Sequence, residues 1–241
     1  MCGRARLPKD YSEIRRQIKF GAQRAAPNLM PTWNLAPTQD ILCCVLDSAT
    51  RERTPMKMRW GLIPGWAKEA KMKFATFNAR AETIETTSSF RESWKKGRRC
   101  LVITDGFYEW RKGDKKPFAI ACVNDRLTVM AGLWDEWQGP TGEVVLSCTI
   151  ITTDSNDLMR PLHDRMPVIL DEKDWPEWLG EVESNPENLK MLLRPFPSEE
   201  MHVWPVDERV GNVRNDDASL ITPVVETAPI TLKPPVQGSL F

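Results

Sequence analysis

Much of this 241-residue chain is divided into short apolar, strand-like runs separated by turn-forming clusters, and one of these runs alternates strictly. Met56, Met58, Trp60 and Leu62 alternate with Lys57, Arg59 and Gly61, the period-two signature of a half-buried strand. This run ends at Pro64-Gly65-Trp66, which predicts a turn with an aromatic ring at its tip. Comparable runs predict strands over 41–46, 100–104, 107–111, 117–122, 127–134, 144–153, 165–170 and 201–206. Lys112-Gly113-Asp114, Asn124-Asp125 and Gln138-Gly139-Pro140 read as hairpin-type turns between them. Residues 74–80 read as extended, and 32–37 as a loop.

Helical spacing is confined to short segments. Over 10–20, Asp10 is placed as N-cap, Glu13 completes a capping-box pattern, and Tyr11, Ile14 and Ile18 share one face. Residues 88–96, leading into the basic run Lys95-Lys96-Gly97-Arg98-Arg99, and 174–179 also read as helical. So does 186–193, with Asn185 as cap and Pro186 at the first helical position. Consecutive hairpins with few helices between them predict a single, mainly antiparallel α+β domain over residues 2–222. After Thr222, Pro223, Pro229, Pro234 and Pro235 mark a tail over 223–241 that cannot bury a core and is expected to be flexible.

Composition adds a charge asymmetry that the total conceals. Residues 1–120 carry 24 Lys/Arg against 12 Asp/Glu, and residues 121–241 carry 9 against 21, so the net charge is zero. Such a bipolar chain can offer a basic face to a polyanion, unless the two halves interleave and neutralise each other. The six cysteines (Cys2, Cys43, Cys44, Cys100, Cys122, Cys148) contain no C-x-x-C pair and lie mostly in apolar runs, which suits reduced core residues better than a disulfide or zinc framework. No apolar run reaches the length of a membrane span, and the start lacks the regions of a signal peptide, so a cytoplasmic protein is expected.

The chemistry concentrates at Met1-Cys2-Gly3-Arg4. Methionine aminopeptidases accept a small second residue, so the mature chain is expected to begin at Cys2 with an amine and a thiol on adjacent carbons. An aldehyde is the natural target of this pair, because the amine forms a Schiff base and the thiol closes it to a thiazolidine. An α-amine is neutral near pH 7 roughly 300 times more often than a lysine. Candidate partners are few. Glu109 lies between aromatic residues in Asp105-Gly106-Phe107-Tyr108-Glu109-Trp110, which would desolvate its carboxylate. His163 lies in a polar loop that enters an apolar strand, and Asn78 ends an extended run beside Arg80. Taken singly, each also has a purely structural explanation: a core histidine, a cross-strand ion pair, a turn asparagine.

Six ordered motifs resemble the SRAP (SOS response-associated peptidase) family. They are Met-Cys-Gly-Arg at the start, Arg59-Trp60-Gly61-Leu62-Ile63-Pro64-Gly65-Trp66-Ala67, Asn78-Ala79-Arg80-Ala81-Glu82-Thr83, Asp105 to Trp110, Thr152-Thr153-Asp154, and the segment from His163 to Leu170. The resemblance implies a curved, barrel-like, mainly antiparallel sheet with flanking helices. It also implies covalent capture of abasic sites in single-stranded DNA during replication or the SOS response, with lyase-like chemistry. It makes Cys2 the crosslinking residue and Asn78, Glu109 and His163 the lining of its site. Arg4 and Arg80 would hold phosphates, Trp66 would stack on a base, and Asn34 and Pro37 would lie on a loop near the DNA. No metal or cofactor is called for, and a monomer is expected. An N-terminal-nucleophile cysteine peptidase or amidohydrolase is the competing expectation, and a non-catalytic DNA- or replisome-binding module a third. The tail ends in Gln237-Gly238-Ser239-Leu240-Phe241, similar to the Gln-x-x-Leu-Phe peptides that dock into bacterial sliding clamps, with Gln237, Leu240 and Phe241 as the contacts.

Overall fold

The structure, a computed structural model, describes residues 2–22 and 24–225. The chain enters β1 (Ala5–Leu7) and then α1 (Tyr11–Ile18), which Asp10 caps by accepting a hydrogen bond from the Ser12 amide. Ile14 and Ile18 are buried on its inner face. The expected capping box does not form. Glu13 instead accepts from the Lys9 ammonium at 3.0 Å and the Gln17 side chain at 3.1 Å, and a cationic donor outweighs a return bond to the cap.

β2 (Thr32–Leu35) occupies a stretch whose pattern predicted a loop. Its partner is β1, with Ala5 opposite Leu35, so the strand is made by tertiary pairing in a segment flanked by Pro31 and Pro37. β3 (Asp40–Leu46) and β4 (Arg53–Trp60) form a complete hairpin with Asp40 opposite Arg59. Only the end of the expected extended run forms β5 (Asn78–Arg80), followed by α2 (Arg91–Lys95), β6 (Arg99–Thr104), β7 (Gly106–Trp110) and β8 (Pro117–Cys122). The long strands β9 (Thr128–Gln138) and β10 (Val144–Asp154) follow. β11 (Arg165–Pro167), α3 (Trp175–Leu179), α4 (Pro186–Met191) with its Asn185 cap, and β12 (Met201–Pro205) come last.

β4, β3, β6, β9 and β10 close into a five-stranded barrel, because β10 pairs with β9 on one edge and β4 on the other. On its β4 edge β10 continues against β5, and on its β9 edge against β11. β4 and β5 both run parallel to β10, the exceptions in a barrel that is otherwise antiparallel. Closure needs Gly132 in mid-strand, since a Cβ there would stand 2.7 Å from Val102 Cγ2 and 2.9 Å from the Thr149 carbonyl oxygen. A second, wholly antiparallel sheet has the order β12-β8-β7-β1-β2. β6 and β7, like β8 and β9, are successive strands of different sheets and not hairpins, a distinction that turn signals do not carry.

Strand alternation sorts most of the apolar residues into two large cores, with a smaller cluster around Tyr108, Ala119 and Val210 on the second sheet. Met58, Trp60, Cys43, Cys100, Val102, Cys148 and Ile150 belong to one core, which continues to Cys2 and to Phe107 of the second sheet. Leu42, Leu101, Ile103, Val129 and Leu133 belong to the other, with Ile14 and Ile18 of α1, Trp178 of α3 and Leu189 of α4. All six cysteines are free and buried, as their apolar settings predicted. Among the described residues no helix is long and apolar enough to cross a membrane.

Candidate active site

Cys2 precedes β1 and is only 1% exposed, at the junction where the second sheet meets the barrel. Its position follows from backbone bonds on either side of Arg4, whose carbonyl accepts from the Tyr108 amide at 2.9 Å, while β1 is held between β7 and β2. The Asn78 amide donates to the Cys2 carbonyl at 2.8 Å. Asn78 is itself well fixed: the preceding carbonyl, of Phe77, accepts from Trp60 Nε1 at 2.9 Å and from the Ile150 amide at 3.1 Å. The other amide atom, Asn78 Oδ1, is buried without a partner among the described residues. Burial pushes the Cys2 thiol well up, and the Glu109 carboxylate pushes it further, against the positive amino terminus and a hydrogen bond from the Arg4 amide. The sulfur is therefore a protonated thiol at neutral pH.

Glu109 lies on β7, 5% exposed, and by strand alternation faces the same side as Phe107, which packs in the core with Cys2. One of its oxygens accepts from the Trp110 amide at 3.2 Å. His163 is half-buried in the loop before β11, its amide bonded to the Met159 carbonyl at 2.9 Å. Burial lowers its pKa, the positive amino terminus lowers it further, and Glu109 opposes both. The Arg165 amide donates to His163 Nδ1 at 3.0 Å, so the neutral ring carries its proton on Nε2. Cys2, Asn78, Glu109 and His163 are thus linked by a hydrogen bond and by shared electrostatics. Together they supply an amide held on the Cys2 backbone, a carboxylate that acts on the thiol, and an imidazole N–H donor coupled to that carboxylate.

The five residues expected at DNA are placed differently from one another. Arg4 and Asn34 bind each other, Nη1 to Oδ1 at 2.8 Å, and Arg4 also donates to the Val210 carbonyl at 2.6 Å. Asn34 is 2% exposed and donates to the carbonyls of Val210, Asn212 and Asn215, so it fastens the 210–215 segment. Pro37 is half-buried in the link from β2 to β3. Trp66 is 57% exposed at the predicted turn, which is pinned on both sides. The Gly65 amide donates to Asp135 at 3.0 Å, and Trp137 Nε1 donates to the Ala67 carbonyl at 2.7 Å. Arg80 ends β5 exposed, two residues and therefore one pleat beyond Asn78, and no ion pair or hydrogen bond holds its guanidinium among the described residues.

Two contributors escaped the sequence pattern. Arg165 orients His163 through its backbone, a role invisible in residue type, while its side chain is clamped by Glu82 and Asp154. Phe74, 80% exposed, shares the Trp66 loop with exposed Lys68, Lys71 and Lys73; an apolar residue alternating with lysines was the available signal. Among the described residues no cluster of side chains suits a metal ion.

Comparison with known proteins gives a consistent answer. The family model for SOS response associated peptidase (SRAP) matches residues 1–213. The chain is 38% identical over 224 residues to abasic site processing protein YoqW of Bacillus subtilis (strain 168), covering 92% of this chain and 99% of that one. It is 33% identical over 273 residues to abasic site processing protein HMCES of Gallus gallus, covering 97% and 81%. A crystal structure of a protein from Bacteroides thetaiotaomicron is similar with a TM-score of 0.79 at 26% identity, over 93% of this chain and 100% of that one. With a family model covering most of its length and relatives of this identity along nearly all of it, the chain belongs to the SOS response associated peptidase (SRAP) family.

Proposed function

We propose that this protein processes abasic sites in single-stranded DNA by crosslinking to them through Cys2. The observation that carries the reading is the Asn78 bond to the Cys2 carbonyl, which holds the residue bearing a buried thiol within electrostatic reach of Glu109, itself within reach of His163. The names of the relatives point to the same lesion. Once Met1 is removed, the Cys2 amine attacks the aldehyde of the ring-opened deoxyribose. The carbinolamine loses one water to give an imine, and the thiol then adds its sulfur to the imine carbon and its proton to the nitrogen. No atom leaves in this second step.

Roles for the surrounding groups follow from their chemistry. Glu109 accepts the proton that the attacking amine sheds. His163, neutral and protonated on Nε2, donates to the departing oxygen. The Arg4 amide, already bonded to the sulfur, stabilises negative charge as the thiol gives up its proton. Exposed Trp66 and Arg80 serve the strand by stacking and by phosphate contact. A peptidase fits less well, because a thiol nucleophile for amides needs its pKa lowered, and burial here raises it. Cys2→Ser separates the two: it keeps an amine and a hydroxyl nucleophile but closes no thiazolidine. The proposal requires that wild type give heat-stable adducts, that Cys2→Ser give none, and that neither cleave peptides; peptide cleavage without adducts would reverse it.

In this reading the protein works in the cytoplasm at the nucleoid, as a response to DNA damage. The segment Gln237, Leu240 and Phe241, proposed to dock into the sliding clamp, lies outside the described residues, as does most of the tail expected over 223–241. Titrating the isolated tail peptide against purified clamp tests it. Binding at or tighter than about 100 μM, near −5.5 kcal/mol, that is lost with Leu240→Ala/Phe241→Ala supports docking, and its absence removes it.

A further inference from the structure

The basic run at 95–99 has no part in the chemistry at Cys2, and β6 divides its members. Arg98 pairs with Asp135 and lies 5.3 Å from the centre of the Trp134 ring. Arg99 faces the opposite side, toward the helices. Its Nε donates to the Trp178 carbonyl and its guanidinium lies 5.9 Å from the Trp178 ring centre. Among the described residues no carboxylate comes within ion-pairing distance of it, and burial lowers its pKa. Other part-buried guanidinium groups of this chain are matched by an anion. Arg53 is matched by Glu181 at 2.6 Å, and Arg165 by Glu82 at 2.7 Å.

The two terminal nitrogens of Arg99 are left uncovered by glycines. Gly97 and Gly180 have φ of +64° and +83°, and a Cβ at either would stand 3.4 Å from Nη1 or 3.3 Å from Nη2. On one side opens a cleft of about 600 Å³, lined by Arg91 and Lys95 of α2 with Trp94 and Ser184. On the other lies a groove of about 650 Å³, lined by Ser184, Asn185, Asn188 and one acidic residue, Glu183. The acids of the cleft are already engaged: Glu85 with Lys190 at 2.6 Å, and Glu92 with Arg91 at 3.8 Å. Among the described residues Lys95 and Arg99 form no ion pair, and Glu183 is the one acid in the groove beside Arg99.

We propose that Arg99 and Lys95 form an oxyanion site that takes a phosphate group, with the Arg99 fork as bidentate donor and Lys95 as a second positive charge. The phosphate could belong to a small phosphorylated molecule or to the backbone of a strand; the chemistry of recognition is the same. The site stands in the helical layer, on the barrel wall that turns away from the core containing Cys2.

The test titrates inorganic phosphate into the full-length protein at constant ionic strength, following the Arg99 Nε–H resonance by NMR. A saturable shift is expected, with affinity reduced about tenfold in Arg99→Lys, the loss of one bidentate contact. Lys95→Gln, a change at an exposed position, should weaken binding to a smaller degree and covers the case in which Arg99→Lys fails to fold. An undamaged oligonucleotide that displaces phosphate assigns the site to strand backbone; failure to displace assigns it to a small phosphorylated molecule. No saturable shift in the wild type, or equal affinity in wild type and Lys95→Gln, overturns the proposal.

Discussion

Replacing Asn78 by alanine should separate positioning from stability. The wild-type amide donates to the Cys2 carbonyl at 2.8 Å, while its oxygen is buried without a partner. Deleting the side chain loses one hydrogen bond, a net of about 1 kcal/mol, and leaves the carbonyl short of a donor. It also removes an unsatisfied buried oxygen, whose desolvation costs about 1–3 kcal/mol. The two effects oppose each other, so folding stability should change by no more than about 1 kcal/mol, or about 2–4 °C in Tm for a domain of this size. Crosslinking should respond far more. Without the amide the start of the chain is free to shift, and a displacement on the order of 1 Å costs about a hundredfold in rate. Asn78→Asp should be worse on both counts, because a carboxylate opposite the Cys2 carbonyl places acceptor against acceptor. The assay is single-turnover adduct formation on abasic single-stranded DNA, resolved on denaturing gels, with calorimetric melting of the same samples. An Asn78→Ala protein that crosslinks at the wild-type rate, or that loses 3 kcal/mol or more at unchanged rate, would refute the reasoning.

Arg80→Ala should leave stability within about 0.5 kcal/mol, since its guanidinium is exposed and, among the described residues, unpaired. It should weaken binding to undamaged single strands and reduce the salt slope of that binding by about 1; an unchanged slope would remove Arg80 from the interface. His163 titrates below its ordinary value chiefly because of burial. The unfolded chain therefore takes up this proton first as pH falls. The stability from the neutral ring is complete above about pH 6.5 and is lost as pH drops toward the lower folded value. Urea midpoints of wild type should fall more steeply from pH 7 to 5 than those of His163→Gln, and parallel curves would contradict the assignment.

Much of the barrel could be read from its apolar runs: β4 alternates because one face packs on a core and the other, with Lys57, is exposed, whereas β3 and β6 are unbroken apolar runs because both faces are buried. β2 could not, since its residues are strand-forming only by virtue of β1 beside them. The parallel contact of β10 with β4 and β5 also left no local trace, because register between segments about seventy to ninety residues apart is a property of closure. At the candidate site, residue type was enough to single out Cys2, Glu109 and His163, each of which also had a purely structural explanation. What the sequence withheld was orientation: that Arg165 fixes the imidazole through its backbone, and that burial holds the Cys2 thiol in its protonated form. Asn34 shows the same limit from the other direction. A polar residue in a predicted loop reads as surface, yet three backbone carbonyls of the 210–215 segment draw it inside.

The intact mass of the protein after incubation with an oligonucleotide carrying one abasic site tests the central claim most directly. The account predicts a single species equal to the chain without Met1 plus the oligonucleotide minus one water, which is the balance of imine formation followed by thiol addition. Absence of that species, or an adduct of equal yield on a chain that still carries Met1, would contradict it.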